Sequence, residues 1–199
     1  PSSELTGEIP ESIGNLINLN SLVLYNNQLT GEIPESIGNL IDLTWLNLYN
    51  NQLTGEIPES IGNLINLTSL DLGFNQFSSE IPQSLGGLIN LNHLWLFNNQ
   101  LNGDIPISIC NIYQNLEHFY INNNQLCPPY PECLSEDDIG YQDTSNCEEQ
   151  PLCDEETEVE LWGECYNIEE TTELNFGGNQ LSGEIPSEIC NLTNLTELE

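Results

Sequence analysis

The segment LTGEIPESIGNL occurs three times in this chain, at intervals of 24 residues from Leu5 onward. Two diverged copies keep the same spacing, FSSEIPQSLGGL from Phe77 and LNGDIPISICNI from Leu101. Repeats of about 20 to 50 residues indicate a solenoid, because one unit cannot bury its apolar side chains alone and stacked units bury them together. The sequence therefore predicts a stacked array over residues 1–126, with five full coils.

The stretches between these copies carry a second recurring pattern. They read LNSLVLYNNQL, LTWLNLYNNQL, LTSLDLGFNQF, LNHLWLFNNQL and LEHFYINNNQL. The combined pattern LxxLxLxxNxLxGxIPxxIGNL resembles the plant-specific class of leucine-rich repeats. It is similar to receptor-kinase ectodomains, polygalacturonase-inhibiting proteins and secreted bacterial proteins with such repeats. The resemblance covers residues 5–126 and 171–199.

The resemblance implies a leucine-rich repeat solenoid, of the α/β class by convention but mostly β and 3₁₀. A curved parallel sheet would form the concave face, irregular or 3₁₀ turns the convex face, and disulfides would staple the caps. Strand side chains alternate between faces, so the repeated leucines should point inward and the intervening residues toward solvent. An Asn recurs after each strand and is expected to bond turn backbone groups; these residues are Asn27, Asn51, Asn75, Asn99 and Asn124.

The repeat stops after Leu126, and three further segments are predicted. Residues 127–147 read as a C-terminal cap, and residues 148–160 as an acidic linker. Residues 161–199 resemble an N-terminal cap followed by the first repeat of a second, truncated array. The first array is expected to lack its own N-terminal cap. Two explanations remain open: a piece of a longer protein, or ends completed by a neighbouring copy.

The cysteines are confined to the second half of the chain, seven in all. This clustering indicates disulfide-stapled ends and an oxidising compartment, hence an extracellular or cell-surface protein. Cys133 follows Cys110 by nearly one coil, so the two should stack within bridging distance. That pairing leaves Cys127 for Cys147.

The pairing of the remaining cysteines is less constrained. The resemblance to N-terminal caps of this family implies that Cys153 pairs with Cys165, which leaves Cys190 over. A pairing of Cys165 with Cys190, spaced about one coil apart, is the alternative.

Lys and Arg are absent, whereas Asp and Glu number 32, so the formal charge is −32. Nucleic-acid binding is excluded as a function class because its affinity comes largely from cations that neutralise phosphates. No apolar run approaches the roughly 18 residues that a membrane span needs, so membrane insertion is not predicted. Neutral glycans, cationic proteins and divalent metals remain as partners.

Acidic side chains repeat in one column on the predicted convex face, Glu8, Glu32, Glu56, Glu80 and Asp104. Like charges stacked one coil apart repel unless salt screens them or cations bridge them. Bridging by Ca²⁺ is therefore a hypothesis, and no other cofactor is predicted.

The concave face is predicted to carry the ligand. Many of its variable positions are aromatic, and Tyr and Trp are enriched at binding hot spots. The alternative is that the rings pack laterally along the sheet and stabilise the coils without a partner. The predicted ligand-binding residues are Tyr25, Trp45, Tyr49, Asp71, Phe74, His93, Trp95, Phe97, His118 and Tyr120.

Metal binding and catalysis are weighed on the same face. His93 and His118 are lateral neighbours that could hold Zn²⁺ or Cu²⁺, but two ligands do not complete a site, so no metal is predicted. Ser69, Asp71 and His93 could be imagined as a hydrolytic set. Nothing supplies an oxyanion hole and the face is open, so no catalytic residue is assigned and the chain is not expected to be an enzyme.

The leading functional prediction is an extracellular or cell-surface recognition or adhesion module that binds a protein, peptide or glycan. The alternative is a structural, filament-forming surface protein whose arrays stack end to end. Ice binding through repeated Asn and Thr columns is a third hypothesis. Asn66, Asn191 and Asn194 begin glycosylation sequons, which matter only in a eukaryotic host.

Overall fold

A computed structural model of the chain describes residues 4–147, 153–154, 157–162, 164–176 and 185–199. The chain divides into two compact units, Pro1–Cys147 and Glu148–Glu199. The finer subdivision into caps and an acidic linker stays a prediction.

The first unit is a leucine-rich repeat solenoid in which each coil contributes one short strand to a five-stranded parallel sheet. Leu46 lies between Leu22 and Leu70 in register, so equivalent leucines stack from coil to coil. Leu46 and Leu70 are completely buried, which is the core that the repeat predicts. The strands are Ser21–Val23, Trp45–Asn47, Ser69–Asp71, His93–Trp95 and His118–Tyr120.

A second line of parallel strands follows the bend in each coil. Thr6–Glu8 pairs with Gln28–Thr30. The other four form one sheet, Thr54–Gly55, Gln76–Ser79, Gln100–Asp104 and Gln125–Cys127.

Short 3₁₀ helices complete the coils, and each begins after a proline. The Pro34 carbonyl, for example, accepts a hydrogen bond from Ile37 N at 2.9 Å, which closes the first turn. The helices of the first unit are Glu11–Asn15, Glu35–Asn39, Glu59–Asn63, Gln83–Gly87 and Ile107–Ile109. The fifth continues directly into an α-helical turn, Cys110–Tyr113, in the coil that carries one extra residue.

The recurring asparagines bond backbone groups of two coils, as predicted. Asn75 Nδ2 donates to the carbonyls of Leu48 and Leu72 at 3.0 and 3.2 Å. Its Oδ1 accepts from Leu53 N at 3.1 Å. Because the side chain is buried, these bonds satisfy groups that water cannot reach.

Gln142 continues this ladder beyond the last asparagine. Its Nε2 donates to the carbonyls of Ile121 and Ile139 at 3.0 and 2.9 Å, and its Oε1 accepts from Leu126 N at 3.3 Å. It therefore satisfies the last coil in the way that Asn124 satisfies the preceding one. The short helix Glu136–Ile139 brings this part of the chain back over the core.

The described cysteines form three disulfides, Cys110–Cys133, Cys127–Cys147 and Cys153–Cys165. The alternative pairing of Cys165 with Cys190 is wrong, because Cys165 is bonded to Cys153. Cys190 is a free, exposed thiol. Coil spacing favoured the wrong partner here, because the bonded cysteines are 12 residues apart rather than one coil, and that pairing was implied by the family resemblance alone.

The second unit has its own small core. Glu158–Leu161 pairs antiparallel with Glu164–Asn167, and Glu173–Leu174 pairs parallel with Glu197–Leu198. A 3₁₀ helix covers Ser187–Asn191. The buried side chains are Val159, Leu161, Leu174 and Leu192. Across the described part of the chain, none of the helices has the length and apolar character to span a membrane.

Candidate functional site on the concave face

The variable strand positions form straight rows across the five-stranded sheet. One row contains Ser21, Trp45, Ser69, His93 and His118, and the adjacent row contains Val23, Asn47, Asp71, Trp95 and Tyr120. Tyr25, Tyr49, Phe74 and Phe97 follow directly after the strands. The structure therefore brings the predicted ligand-binding residues to one surface, which we call the concave face.

Three of these side chains form a compact group, which we call the aromatic cluster: Tyr49, Phe74 and Phe97. The ring of Phe74 lies 5.5 Å from that of Tyr49 and 5.4 Å from that of Phe97, both edge to face. Edge-to-face pairs add about 0.5–1.5 kcal/mol beyond their burial. Phe74 nevertheless remains 44% exposed, so the cluster presents an apolar surface to solvent.

Four further rings lie nearly parallel, which we call the ring stack: Trp95, His93, His118 and Tyr120. The His93 centroid is 5.2 Å from Trp95 and 5.1 Å from His118, and His118 is 6.2 Å from Tyr120. Phe97 connects the stack to the aromatic cluster through an edge contact with Tyr120 at 6.4 Å. Lateral packing and solvent exposure thus occur together on this face.

Two predicted residues lie apart from these groups. Trp45 and Tyr25 are about half exposed, and neither contacts another aromatic ring among the described residues. The aromatic surface is therefore concentrated between Tyr49 and Tyr120 rather than spread over all five coils.

Phe74 occupies a strained backbone position. Its φ is +52°, in the left-handed region that costs a bulky L residue roughly 1–2 kcal/mol. The equivalent residues of the other coils are asparagines, which tolerate this conformation, namely Asn26, Asn50, Asn98 and Asn123. Asn50 bonds Asn26 and Asn123 bonds Asn98 side chain to side chain, both at 2.8 Å. Phe74 interrupts that ladder and completes the aromatic cluster instead.

Gly73 is the residue of this site that sequence analysis missed. A Cβ at this position would lie 2.7 Å from Phe97 Cε1, so only glycine lets the Phe97 ring lie against the backbone here. The signal was the dipeptide Gly73-Phe74, which replaces the Tyr-Asn of the two preceding coils. The swap moves the aromatic side chain by one residue, to a place between Tyr49 and Phe97.

Asp71 is the acidic residue in the row that contains Trp95 and Tyr120. Its Oδ1 accepts a hydrogen bond from Gly73 N at 3.1 Å. Burial raises the pKa of the Asp71 carboxyl to about 6, against the opposing effect of that hydrogen bond. Asp71 thus holds an ionised group in an environment that disfavours its charge.

The geometry does not assemble the imagined hydrolytic set. His93 Nδ1 is buried and has no hydrogen-bond partner in the described part of the chain, so Asp71 does not orient the imidazole. Metal binding by His93 and His118 is also disfavoured, because nearly parallel imidazoles direct their in-plane lone pairs side by side rather than toward one point.

The described residues contain one close group of three metal-ligand types, Cys153, Glu158 and Cys165. The two sulfurs are bonded to each other, so neither is the thiolate that a metal requires. The predicted sequon residues Asn66, Asn191 and Asn194 are exposed. Asn66 Nδ2 donates to Ile41 O at 2.9 Å, the bond that Asn90 makes to Ile65 O at 2.8 Å without a sequon.

A second regular surface borders the concave sheet, which we call the Ile–Thr lane. It consists of an isoleucine ladder beside Asn and Thr rows: Ile17, Ile41, Ile65, Ile89, Asn20, Thr44, Thr68 and Asn92. The four isoleucines are each 55–64% exposed. Thr44 and Thr68 donate to the carbonyls of Asn20 and Thr44, both at 2.9 Å, so their positions are fixed.

Comparison with known protein families gives two matches. The family described as "Leucine-rich repeat region" matches residues 2–134, and "Leucine Rich Repeat" matches residues 170–192. No curated protein sequence matches the chain.

Several solved structures with similar folds come from plants. The Arabidopsis receptor kinase HAESA, solved with the peptide hormone IDA and the co-receptor SERK1, is 38% identical over 63% of this chain, with a TM-score of 0.61. The plant peptide hormone receptor RGFR1, solved with RGF2, is 34% identical over 98%, with a TM-score of 0.64. A plant ice-binding protein is 40% identical over 61%, with a TM-score of 0.58. The matches span 21%, 26% and 39% of those three chains, respectively.

Proposed function

The chain belongs to the leucine-rich repeat family, and on that basis we propose that it is an extracellular recognition module that binds a peptide on its concave face. The ligand would contact the aromatic cluster and the ring stack. Receptor ectodomains with this fold bind peptide hormones, and the three disulfides fit an oxidising compartment.

The observation that carries this proposal is Phe74. A bulky residue at φ +52° lowers stability, and the asparagine of the neighbouring coils would avoid the strain. Strained positions cluster at binding sites, where the rest of the structure maintains them. The ring gained by this substitution completes an exposed apolar surface, and burying each such ring on a partner contributes roughly 1.5–3 kcal/mol.

The proposal can be tested by selecting peptides from a displayed 12-residue random library on the intact chain. Selected peptides should bind wild type, and Phe74→Ala and Trp95→Ala should each weaken binding by about tenfold or more, as expected of hot-spot residues. Tyr25→Ala is the matched control, because Tyr25 is exposed but lies outside both ring groups. Equal binding by all three variants would exclude the site, and a glycan array run in parallel would show whether sugars are the ligand instead.

Ice is a second candidate ligand, and the Ile–Thr lane favours it. Four exposed isoleucines and the fixed threonine hydroxyls repeat at the coil spacing of about 4.8 Å, a regular array that suits an ordered lattice. Similarity to a plant ice-binding protein supports the same reading. Thermal hysteresis that disappears in Thr68→Asp but persists in Tyr25→Ala is the expected result. No hysteresis in the wild-type chain would exclude this function.

Adhesion and end-to-end filament assembly stay hypotheses. Sedimentation over a wide concentration range distinguishes filaments from a monomeric module. Ca²⁺ bridging of the convex carboxylates also stays a hypothesis, and melting curves with chelator and with added Ca²⁺ test it.

A further inference from the structure

The ionised side chain of Asp71 is not needed for the scaffold. Asn47 occupies the same row one coil earlier, and its Oδ1 accepts from Tyr49 N at 3.0 Å. Asp71 makes the equivalent bond to Gly73 N at 3.1 Å. A neutral amide therefore performs this local role, and the carboxylate adds only a partly buried charge, which is unfavourable without a partner.

Neither lysine nor arginine is available in the chain to pair with that charge. Among the described residues, the bond from Gly73 N is the one hydrogen bond of the Asp71 carboxylate. Burial accordingly raises the pKa of Asp71 to about 6. A carboxylate whose surroundings disfavour its charge in the free protein is stabilised most by a cation that a ligand supplies.

Two aromatic residues neighbour Asp71 on the concave face. Trp95 is its partner in the adjacent strand, and the Phe97 ring lies against Gly73, whose N–H holds the carboxylate. Aromatic faces attract ammonium and guanidinium groups, most strongly when both are desolvated. A carboxylate beside such faces matches the donors of Arg or Lys in particular.

We propose that Asp71, with the Trp95 and Phe97 rings, binds one Arg or Lys side chain of the ligand peptide. The carboxylate accepts hydrogen bonds from the cation, and the rings cover its apolar stem. This inference rests on the proposed peptide-binding function and specifies the chemistry that the ligand must contain.

The experiment uses the peptides selected on the intact chain, with selection and binding in about 0.5 M NaCl, which screens the overall negative charge. The selected peptides should share one Arg or Lys. Asp71→Asn should lower their affinity by roughly tenfold to a hundredfold, the loss expected for a hydrogen bond to a charged group. Asp42→Asn is the matched control, because it removes the same charge from an exposed residue elsewhere and should change affinity less than about twofold.

A second arm identifies the cation. Replacing the shared Arg or Lys of the peptide with Gln should weaken its binding to the wild-type protein as much as Asp71→Asn weakens binding of the original peptide. The same replacement should change binding to the Asp71→Asn variant little, because the interaction is already lost there. Exchanging Arg for Lys in the peptide shows whether the site prefers a guanidinium or a side-chain ammonium group. Acetylating the peptide amino terminus shows whether the terminal ammonium group is the cation that binds. A requirement for the free amino terminus would overturn the inference.

The outcomes separate this inference from the function on which it rests. The inference is overturned if the selected peptides lack a basic residue, or if Asp71→Asn and Asp42→Asn bind them equally well. In either case, loss of binding in Trp95→Ala would still support the peptide site. Failure to select any peptide that depends on Phe74 or Trp95 overturns both.

Discussion

The Phe97 ring lies so close to Gly73 that a single added methyl group would place a Cβ 2.7 Å from Phe97 Cε1. Gly73→Ala should therefore displace the ring, disturb its contacts with Phe74 and Tyr120, and lower the free energy of unfolding by about 1–3 kcal/mol. Urea denaturation measures the change. Gly87→Ala is the matched control, because a Cβ there has no heavy atom within 4 Å, and it should be neutral or slightly stabilising.

Phe74→Asn should weaken ligand binding, and it should be more stable than Phe74→Ala, which removes the same ring but keeps a residue that is strained at this φ. Asparagine tolerates φ +52° and could restore the side-chain ladder with Asn50 and Asn98. Relief of the strain is worth about 1 kcal/mol, which calorimetric melting would detect. The reverse exchange, Asn50→Phe, should destabilise the chain by a similar amount. A Phe74→Asn variant that is no more stable than Phe74→Ala would contradict the assignment of strain.

Ionisation of the Asp71 carboxylate should lower the free energy of unfolding above pH 6 and should have no effect below about pH 4. Its pKa is raised from an ordinary value near 4 to about 6 in the folded chain. Below both values the group is protonated in folded and unfolded chains alike. As pH rises through this window, the unfolded chain loses the proton first, so the folded chain loses stability until both are ionised.

Asp71→Asn should therefore stabilise the protein by about 1–2 kcal/mol at pH 7.5, after allowance for solvent screening of a partly exposed group, and by nearly nothing at pH 4. Unfolding measured at both pH values for wild type and variant isolates this group from the other carboxylates. Asp42→Asn serves as the comparison at each pH. A gain that is equal at both pH values would show that charge burial is not its cause.

Asn75→Ala should be among the most destabilising single substitutions in the first unit. It would leave the buried N–H of Leu53 without its partner and would take one hydrogen bond from each of the carbonyls of Leu48 and Leu72, which keep their bonds from neighbouring asparagines. The expected loss is about 2–4 kcal/mol. Asn27→Ala removes similar bonds in the half-buried first coil, where water can replace them, so a loss of about 1 kcal/mol is expected. Denaturant titration compares the two.

The rows of the concave face were predictable from two rules. The period of 24 residues fixes which residues are neighbours in adjacent coils, and the two-residue alternation of strands fixes which face of the sheet each side chain points to. Those rules place Trp95 beside Asp71, for example, without any knowledge of side-chain conformation. They do not fix ring rotation or backbone strain. Sequence analysis therefore could not predict the nearly parallel packing of His93 against both Trp95 and His118.

The role of Gly73 was hidden for a different reason. Its consequence depends on which way the Phe97 ring leans, and that direction is a property of packed neighbours rather than of any single residue. The disulfide of Cys165 was ambiguous because the family resemblance favoured Cys153 whereas the coil spacing favoured Cys190, and the structure bonds it to Cys153.

Gln142 has a practical consequence for engineering. Its side chain makes the hydrogen bonds that the asparagine of a further coil would make. The last coil is therefore completed regardless of how many coils precede it. Whole 24-residue modules could thus be inserted or deleted upstream of Gln142, provided that the last module keeps an asparagine at the place of Asn124. The number of coils becomes a design variable, independent of how the end is sealed.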